Sequence, residues 1–271
     1  IMCWYLIIWY NKYINNKMEK THAIVEIDSR ERTKGTIDNF EIILKNPIYL
    51  NRDRQYFVRV ENLRIPTSFY NIDSNYNTLK ITEDPAGTPA TFTVTVDPGN
   101  YTINELLTEL NTLLDAGTQK SNNYTLSVDD TTGKVTISTD TTDFKIIGAD
   151  SKLSVPLGFV SGTDYTSSTR SLTSANHILM STKRYLKINS DLTSNNHYSK
   201  DKIEPIGCVV PITESRSTIQ YFANNMGYKT RMENKHNIKH IRFNVRDGNN
   251  NSVDFNGIDW NGELVIYEFR G

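Results

Sequence analysis

Cysteine is scarce in this sequence: Cys3 and Cys208 are the only two in 271 residues, and they lie far apart in the chain. They make neither a disulfide framework nor a zinc-binding pattern, which suits a reducing compartment. We therefore expect both thiols to be free. A chain of this length can bury a substantial core without cross-links, as one large all-β domain or as two smaller domains.

Net charge and long apolar runs are also missing. The formal net charge is -1, so no global field attracts nucleic acid or an anionic membrane. The opening IMCWYLIIWY is apolar only to Tyr10, which is too short for a helix crossing about 30 Å of hydrocarbon, and no positive charge precedes it as in a signal peptide. We predict no membrane span. We favour Met18 as the natural start and residues 1–17 as a translation artefact; the alternative is a hydrophobic N-terminal arm that docks on a neighbour.

The motifs of common enzymes and metal sites are absent as well. The sequence contains no P-loop, HExxH, CxxC or GxSxG pattern, and these patterns carry much of the recognisable phosphate, metal and nucleophile chemistry. His236 and His240 lie four apart on a predicted strand, which separates them by about 13 Å and is too far for one metal ion. We predict no metal-binding and no cofactor-binding residue.

Two pairs of carboxylates, Asp28 with Glu31 and Asp254 with Asp259, are candidates for acid–base chemistry. Such chemistry requires environments that push two pKa values apart, and spacing alone does not reveal them. The cations that follow Asp28 favour a structural ion-pair network instead. We predict no catalytic residue; a carboxylate-dependent hydrolase built around Asp254 and Asp259 is an alternative.

Alternation of β-branched and aromatic residues is the dominant signal from His22 onward. Asn, Asp, Gly and Pro interrupt it at short intervals, which is typical of many short strands. About eight strands with irregular loops fit a β-sandwich. The clearest strand segments are AIVEI, NFEIIL, QYFVRVENL and TLKIT in the first third and RYLKI, IGCVVPI, IKHIRFNV and ELVIYEF in the last.

The middle of the chain follows a different pattern. TINELLTELNTLLDAG has leucines at helical spacing, Thr102 as N-cap with Glu105 as its capping-box partner, and Gly117 as a stop. A strand precedes this helix, and the hairpin YTLSVDDTTGKVTIST and the strand FKIIG follow it. We predict a small α+β domain at residues 90–165, inserted into a sandwich formed by residues 18–89 and 166–271.

A basic run, KTRMENKHNIKHIR, occupies residues 229–242. Its cations are opposed only by Glu233, so it could face phosphate, with a steep salt dependence. The aromatic residues that stack on single-stranded bases are missing from it. A solvated face, or contact with an acidic neighbour, explains the run better, and we predict no direct nucleic-acid contact.

The wording of several segments resembles one family of viral proteins. The segments are IDSRERTKGTIDNFEIIL, NLRIPTSFYNI, GNYTINELLTELN, SVPLGF and VDFNGIDWNGELVIYEF, in this order between residues 25 and 269. Together they resemble the penton, or minor capsid, proteins of virophages and of polinton-like and adintovirus-type double-stranded DNA viruses.

The resemblance implies an all-β fold, a single jelly-roll β-sandwich, with the small α+β domain projecting from it. It also implies a structural subunit that forms homopentamers at the icosahedral fivefold vertices of a virion, contacts the major capsid protein and is assembled inside the host cell. The inserted domain could bind a host receptor. An alternative from another class is a receptor- or glycan-binding fibre head, with exposed aromatic residues on the insert; the available ones are Tyr101, Tyr124, Phe144, Phe159 and Tyr165.

The charged loop between the first two strands is the candidate subunit-interface site. Its alternating signs suit a ring in which each subunit presents two different patches, and forked guanidinium groups suit carboxylates across a joint. The interface candidates are Asp28, Arg30, Glu31, Arg32 and Lys34. Two structural candidates are Pro66, which would stop strand pairing, and Trp260, which would anchor the last strand against the core.

Overall fold

The structure is a computed structural model of the chain. Several features of the sequence analysis fall outside the described residues, namely residues 1–17 with Cys3, Met18, the helix stop Gly117, Glu233 and Lys235. The structure describes residues 19–116, 122–193, 197–198, 203–204, 206–224, 229–232 and 236–269.

The described residues form many short strands, one longer helix and three 3-10 turns at Ser29–Glu31, Gly148–Asp150 and Lys152–Ser154. In chain order the strands and the helix are β1 (Glu19–Asp28), β2 (Lys34–Thr36), β3 (Asn39–Tyr49), β4 (Gln55–Pro66), β5 (Thr78–Glu83), β6 (Ala90–Thr95), α1 (Ile103–Ala116), β7 (Tyr124–Val128), β8 (Val135–Thr139), β9 (Phe144–Ile146), β10 (Tyr165–Thr166), β11 (Ser171–Thr173), β12 (Tyr185–Ser190), β13 (His197–Tyr198), β14 (Ile203–Glu204), β15 (Ile206–Pro211), β16 (Ile219–Phe222), β17 (Thr230–Arg231), β18 (Asn237–Asp247) and β19 (Asn261–Phe269).

The chain divides into two compact units. Unit 1 contains the residues up to Phe69 and from Lys183 onward, and unit 2 contains Tyr70–Thr182. Strand β5, which the sequence analysis counted with the sandwich, belongs to unit 2, because it pairs with β6 and β9. Unit 2 therefore extends beyond the expected residues 90–165 at both ends.

Unit 1 is built from two antiparallel sheets of five strands each. In sheet A the strand order is β1-β19-β4-β16, and β17 also pairs with β4. In sheet B the order is β15-β12-β18-β3-β2. The short strands β13 and β14 pair with each other. These antiparallel sheets agree with the predicted all-β sandwich.

The two sheets of unit 1 share one hydrophobic core. Along each strand, alternate side chains face the core because the pleat directs neighbours to opposite sides. On β3, Phe40 and Ile42 are buried in the core, whereas the exposed Ile43 faces outward. Other core residues are Val25, Ile27, Val58, Val60, Leu186, Ile188, Cys208, Val210, Ile241, Phe243, Val245, Leu264 and Ile266.

Trp260 is fully buried just before β19. Its ring centroid lies 5.5 Å from that of Phe40 and 6.4 Å from that of Phe243, both of sheet B. Its indole Nε1 donates to the carbonyl of Ile37 at 2.9 Å, so the polar end of the ring is satisfied. Trp260 therefore lies in the core that the two sheets share.

Two further predictions concern Pro66 and Cys208. Strand β4 ends at Pro66, but Pro66 lies opposite Ile219 of β16, and Thr67 N donates to Thr218 O at 2.9 Å. Cys208 is a free, buried thiol, and burial raises its pKa.

Unit 2 contains two small antiparallel sheets and helix α1. One sheet has the order β10-β9-β5-β6 and the other β11-β8-β7. The leucines predicted at helical spacing bury one face of α1. They join a second hydrophobic core, whose other buried members include Leu79, Ile81, Val96, Tyr124, Ile137, Phe144, Ile146, Leu157 and Phe159.

The predicted local signals of unit 2 are present. Thr102 N donates to Glu105 Oε2 at 2.7 Å, and Glu105 N donates to Thr102 Oγ1 at 3.3 Å. This reciprocal pair is the predicted capping box. In the hairpin of β7 and β8, Gly133 has φ +60°, a conformation that glycine adopts without steric cost.

Candidate subunit-interface site

The charged loop begins where β1 runs into the 3-10 turn Ser29–Glu31. The buried Asp28 carboxylate accepts from Arg30 N at 2.9 Å and so caps the turn. The Arg30 guanidinium binds the same carboxylate through Nε, at 3.0 Å from both oxygens, and through Nη2, at 2.5 Å from Oδ2. These charge-assisted bonds hold the pKa of Asp28 below its usual value. Asp28 therefore fixes the corner, while the Arg30 side chain remains 68% exposed.

A second set of contacts ties this corner to the segment before β19. Ser29 is fully buried, and its Oγ donates to Asp259 Oδ1 at 2.6 Å. Arg32 Nη1 donates to the same oxygen at 3.0 Å and to Ser29 O at 2.5 Å. Trp260 N donates to Ser29 Oγ at 3.0 Å. These hydrogen bonds connect the loop after β1 to the residues just before β19.

The interface candidates accordingly have different environments. Arg30 and Arg32 were expected to bind carboxylates of a neighbouring subunit, but each already has a carboxylate partner in its own chain. Glu31 and Lys34 are exposed. A role of the five residues in subunit contact stays a prediction.

Lys34 belongs to a charged group on the outer face of sheet B. In the strand register Lys34 lies opposite Glu41, and Glu41 lies opposite Arg242, so the three side chains form a row across β2, β3 and β18. The row borders a concavity of about 660 Å³. Its lining residues are Lys34, Glu41, Asp191, Asn237, Lys239, His240 and Arg242.

Glu41 is the centre of this group. Arg242 Nε donates to its Oε2 at 2.9 Å, and His240 Nδ1 lies 3.1 Å from its Oε1. These contacts, with the Arg242 guanidinium as the larger cause, lower the pKa of Glu41. The glutamate is only 8% exposed, whereas the Arg242 side chain is 72% exposed. The carboxylate is thus shielded while the cation faces solvent.

The outer face of sheet A carries a row of the opposite charge. Glu26 lies opposite Glu263, and Glu263 lies opposite Glu61, across β1, β19 and β4. Residues opposite each other in antiparallel strands share a face, and like charges in these positions destabilise the sheet. Glu61 is compensated by Arg59 and by Tyr267, whose OH donates to Oε1 at 3.0 Å.

The other two glutamates of this row have weaker compensation. Glu263 accepts from Asn62 Nδ2 at 2.8 Å. Glu26 is exposed and forms no ion pair with any described residue. Beside the row, two positions from Glu26 along β1, Ile24 is 63% exposed.

The basic run at 229–242 is divided between the two sheets. Lys229 and Arg231 lie at β17, which pairs with β4 of sheet A, and Lys229 Nζ lies 4.4 Å from the Tyr267 ring centroid. Lys239 and Arg242 lie on β18 of sheet B. Its described residues therefore do not form one continuous basic strip, although the sequence presents them together.

The carboxylates of the hydrolase alternative make separate contacts. Asp254 is exposed, and its Oδ1 accepts from Asn256 N at 2.8 Å. Asp259 binds Ser29 and Arg32. Within the part of the chain that the structure describes, no group of three or more His, Cys, Asp or Glu side chains could hold a metal ion.

The five aromatic residues proposed for glycan binding lie in the core of unit 2 or pack against it. Tyr124, Phe144 and Phe159 are buried, and Tyr101 and Tyr165 are partly buried against the same core. The glycan-binding alternative expected exposed rings at these five positions, so the structure gives it no support.

A membrane span was not expected, and no helix among the described residues is both long and apolar enough to cross a bilayer.

Sequence reasoning missed the charged rows on the two sheets. Alternation along β1 and β3 indicates that Glu26 and Glu41 share a face with every second neighbour. It does not indicate which residue of another strand lies opposite, because register depends on pairings between distant parts of the chain.

Comparisons with known proteins find similarity among solved structures. No protein-family model and no curated protein sequence matches the chain. Among solved structures, the chain is similar to a selenomethionine-labelled crystal structure of the mavirus penton protein, with 12% sequence identity and a TM-score of 0.49. The similarity covers 93% of this chain and 99% of that one.

Proposed function

We propose that this chain is a structural capsid protein, a penton subunit whose unit 1 is a single jelly roll. The strand pairing of unit 1 carries the proposal. Its eight principal strands in chain order are β1, β3, β4, β12, β15, β16, β18 and β19.

Counted in that order, the first strand pairs with the eighth, the second with the seventh, the third with the sixth and the fourth with the fifth. The sheets then read 1-8-3-6 and 2-7-4-5. This nested pairing is how a jelly roll wraps a long antiparallel ribbon into two packed sheets. Many jelly rolls have other functions, so the capsid assignment depends also on the sequence segments that resemble penton proteins.

Unit 2 is inserted at one point of this topology. The chain leaves unit 1 after the third principal strand and returns at Lys183, before the fourth. The insert is compact and has its own core, as a projecting domain requires. We assign it residues 70–182 and a position on the outside of the capsid vertex, where it could meet a host receptor.

The proposed work of the protein is association. Five copies form a ring at each icosahedral vertex of the virion, and the major capsid protein surrounds this ring on all sides. Such a ring uses a heterologous interface, in which one patch of a subunit meets a different patch of the next. Assembly takes place inside the host cell, and no catalytic step is involved.

The experiment is a measurement of particle mass and symmetry. The full chain is purified, and its mass is measured over a range of concentrations, alone and after co-expression with the major capsid protein of the same virus. Electron microscopy of the same samples gives the symmetry. We expect rings of five in at least the co-expressed sample. Rings of three or six, or a chain that stays monomeric in both samples, would contradict the proposal.

A further inference from the structure

On the outer face of sheet B, the concavity is lined by the cations Lys34, Lys239 and Arg242 and by the carboxylates Glu41 and Asp191, and both carboxylates contact Arg242. Lys34 and Lys239 form no ion pair with any described residue. Arg242 pairs with Glu41 but leaves most of its guanidinium side chain in solvent. We call Lys34, Lys239, His240 and Arg242 the basic face. Because they border a concavity of about 660 Å³, the basic face can receive side chains that stand out from another surface.

The outer face of sheet A has a row of carboxylates across β1, β19 and β4. We call Glu26, Glu61 and Glu263 the glutamate row. Strand neighbours within the row repel one another, and Glu26 and Glu263 form no ion pair with any described residue. A cationic surface placed against the row would relieve the repulsion.

The two surfaces lie on opposite sides of unit 1. On β1, Val25 and Ile27 enter the shared core, so Ile24 and Glu26 face away from it. On β3, Phe40 and Ile42 enter the same core from sheet B. The basic face and the glutamate row therefore point away from one core in opposite directions, and they can meet only between different copies.

Each surface also carries an exposed isoleucine beside its charges. Ile24 is 63% exposed and lies two residues from Glu26 on β1, and Ile43 is 39% exposed and lies opposite His240. Residues two apart on a strand stand about 7 Å apart on one face. Both surfaces thus combine one apolar side chain with charges at short range, and their signs are complementary.

We propose that the basic face of one copy binds the glutamate row of a second copy, with Ile43 near Ile24. The inference rests on the proposed penton function, for which it names the two patches of the ring contact. The partner is a second copy because the complementary charges lie on this same chain. A contact between opposite faces of one subunit is heterologous, and it closes into a ring when the rotation between copies allows.

Charge reversal tests the contact. The first variant is Lys34→Glu with Lys239→Glu, and the second is Glu26→Lys with Glu263→Lys. We expect each variant alone to weaken subunit association about tenfold, since like charges then face each other.

An equimolar mixture of the two variants should pair reversed faces and recover mixed dimers, and one chain carrying all four changes should recover association towards the wild-type value. Sedimentation velocity of the full chain at low and high salt gives the measurement, with ring yield after co-expression with the major capsid protein as a second readout.

The matched control is Arg52→Glu, which makes the same kind of charge change at an exposed residue in the turn between β3 and β4. It should leave association unchanged.

Rings of five that form equally well in every variant would overturn this contact and leave the penton proposal standing. A loss confined to the basic-face variant would also overturn it, since an acidic segment of another protein would then be the partner. Failure of the wild type to form rings in either readout would count against the penton function itself.

Discussion

In unit 2, Asp and Glu outnumber Lys and Arg by thirteen to six, whereas in unit 1 Lys and Arg outnumber Asp and Glu by twenty-four to eighteen. The near-zero net charge of the whole chain hides this division. The acidic residues of unit 2 are concentrated in its turns, where their carboxylates accept backbone N–H groups. These residues are Asp73, Asp84, Asp129, Asp140, Asp143 and Asp164.

Unit 1 also has carboxylates that accept backbone N–H groups, such as Asp28 and Asp254, but it carries further charges in rows on its sheet faces. Glu41 meets Arg242 across two strands, and Glu26 meets Glu263 across two others. A carboxylate that accepts backbone N–H groups in a turn stabilises its own unit, whereas a row of charges on the outer face of a sheet can also contact a second molecule. The acidity of unit 2 thus belongs to its own loops, whereas the charged rows of unit 1 are the surfaces of the proposed association.

The largest effect that separates the units is expected from Trp260→Ala. Removing this fully buried ring should destabilise unit 1 by about 3–5 kcal/mol. Hydrogen exchange measured by mass spectrometry should show faster exchange in β3, β18 and β19, with unit 2 less affected. Phe144→Ala, in the core of unit 2, should give the reverse pattern. Equal loss of protection in both units from either change would contradict their division into separate cores.

Asp259→Ala is expected to have the next largest effect. It leaves Ser29 Oγ and the Arg32 guanidinium without their carboxylate, which should cost about 1–3 kcal/mol of unfolding free energy. Denaturant unfolding checks the value. The control Glu31→Gln changes an exposed carboxylate of the same corner and should stay within about 0.5 kcal/mol of the wild type. If both variants matched the wild type, the corner would not be held as described.

A smaller effect is expected from Thr102→Ala at the start of α1. Loss of the capping hydroxyl should destabilise unit 2 by about 1 kcal/mol, as measured by exchange of the first-turn amides. Thr112→Ala, at an exposed position further along the same helix, should be neutral or slightly stabilising because alanine has the higher helix propensity. Equal destabilisation by the two changes would rule out a specific role for the cap.

The smallest effect concerns pH and the turns of unit 2. Hydrogen bonds from Asn123 lower the pKa of Asp140 from 3.8 to about 2. The lowered value means that the charged form stabilises unit 2 above the unfolded pKa, and this contribution is lost as pH falls from 3.8 towards about 2. Asp140→Asn should flatten the dependence of unit 2 stability on pH in that window. Asp130→Asn, an exposed aspartate of the same unit, is the control, and an equal change in both variants would contradict the role of Asp140.

Local features of the fold were readable from the sequence. The capping box at Thr102 and Glu105 and the leucine spacing of α1 involve residues within one or two turns of helix, so the sequence alone predicts them. Inward and outward positions of β3 and β4 follow from their alternation. The core position of Trp260 was also predicted, although its neighbours Phe40 and Phe243 were not.

Pairings between distant segments were not readable. TLKIT has the pattern of any half-buried strand, and its assignment to unit 2 depends on pairing with β6 and β9. The partner of Arg32 is Asp259, which reaches it because β1 pairs with β19. The alternating charges of the loop indicated ion pairs. Whether a partner lies in the same chain or in a neighbouring subunit depends on which strands pair, and the sequence does not show this.

Cryo-electron microscopy of shells co-assembled with the major capsid protein, reconstructed without imposed symmetry at the vertices, tests the central claim most directly. The account predicts five copies of unit 1 around each vertex, each with the glutamate row against the basic face of the next, and unit 2 on the outside. Density for the chain at positions of another symmetry, or shells whose vertices close without it, would contradict the account.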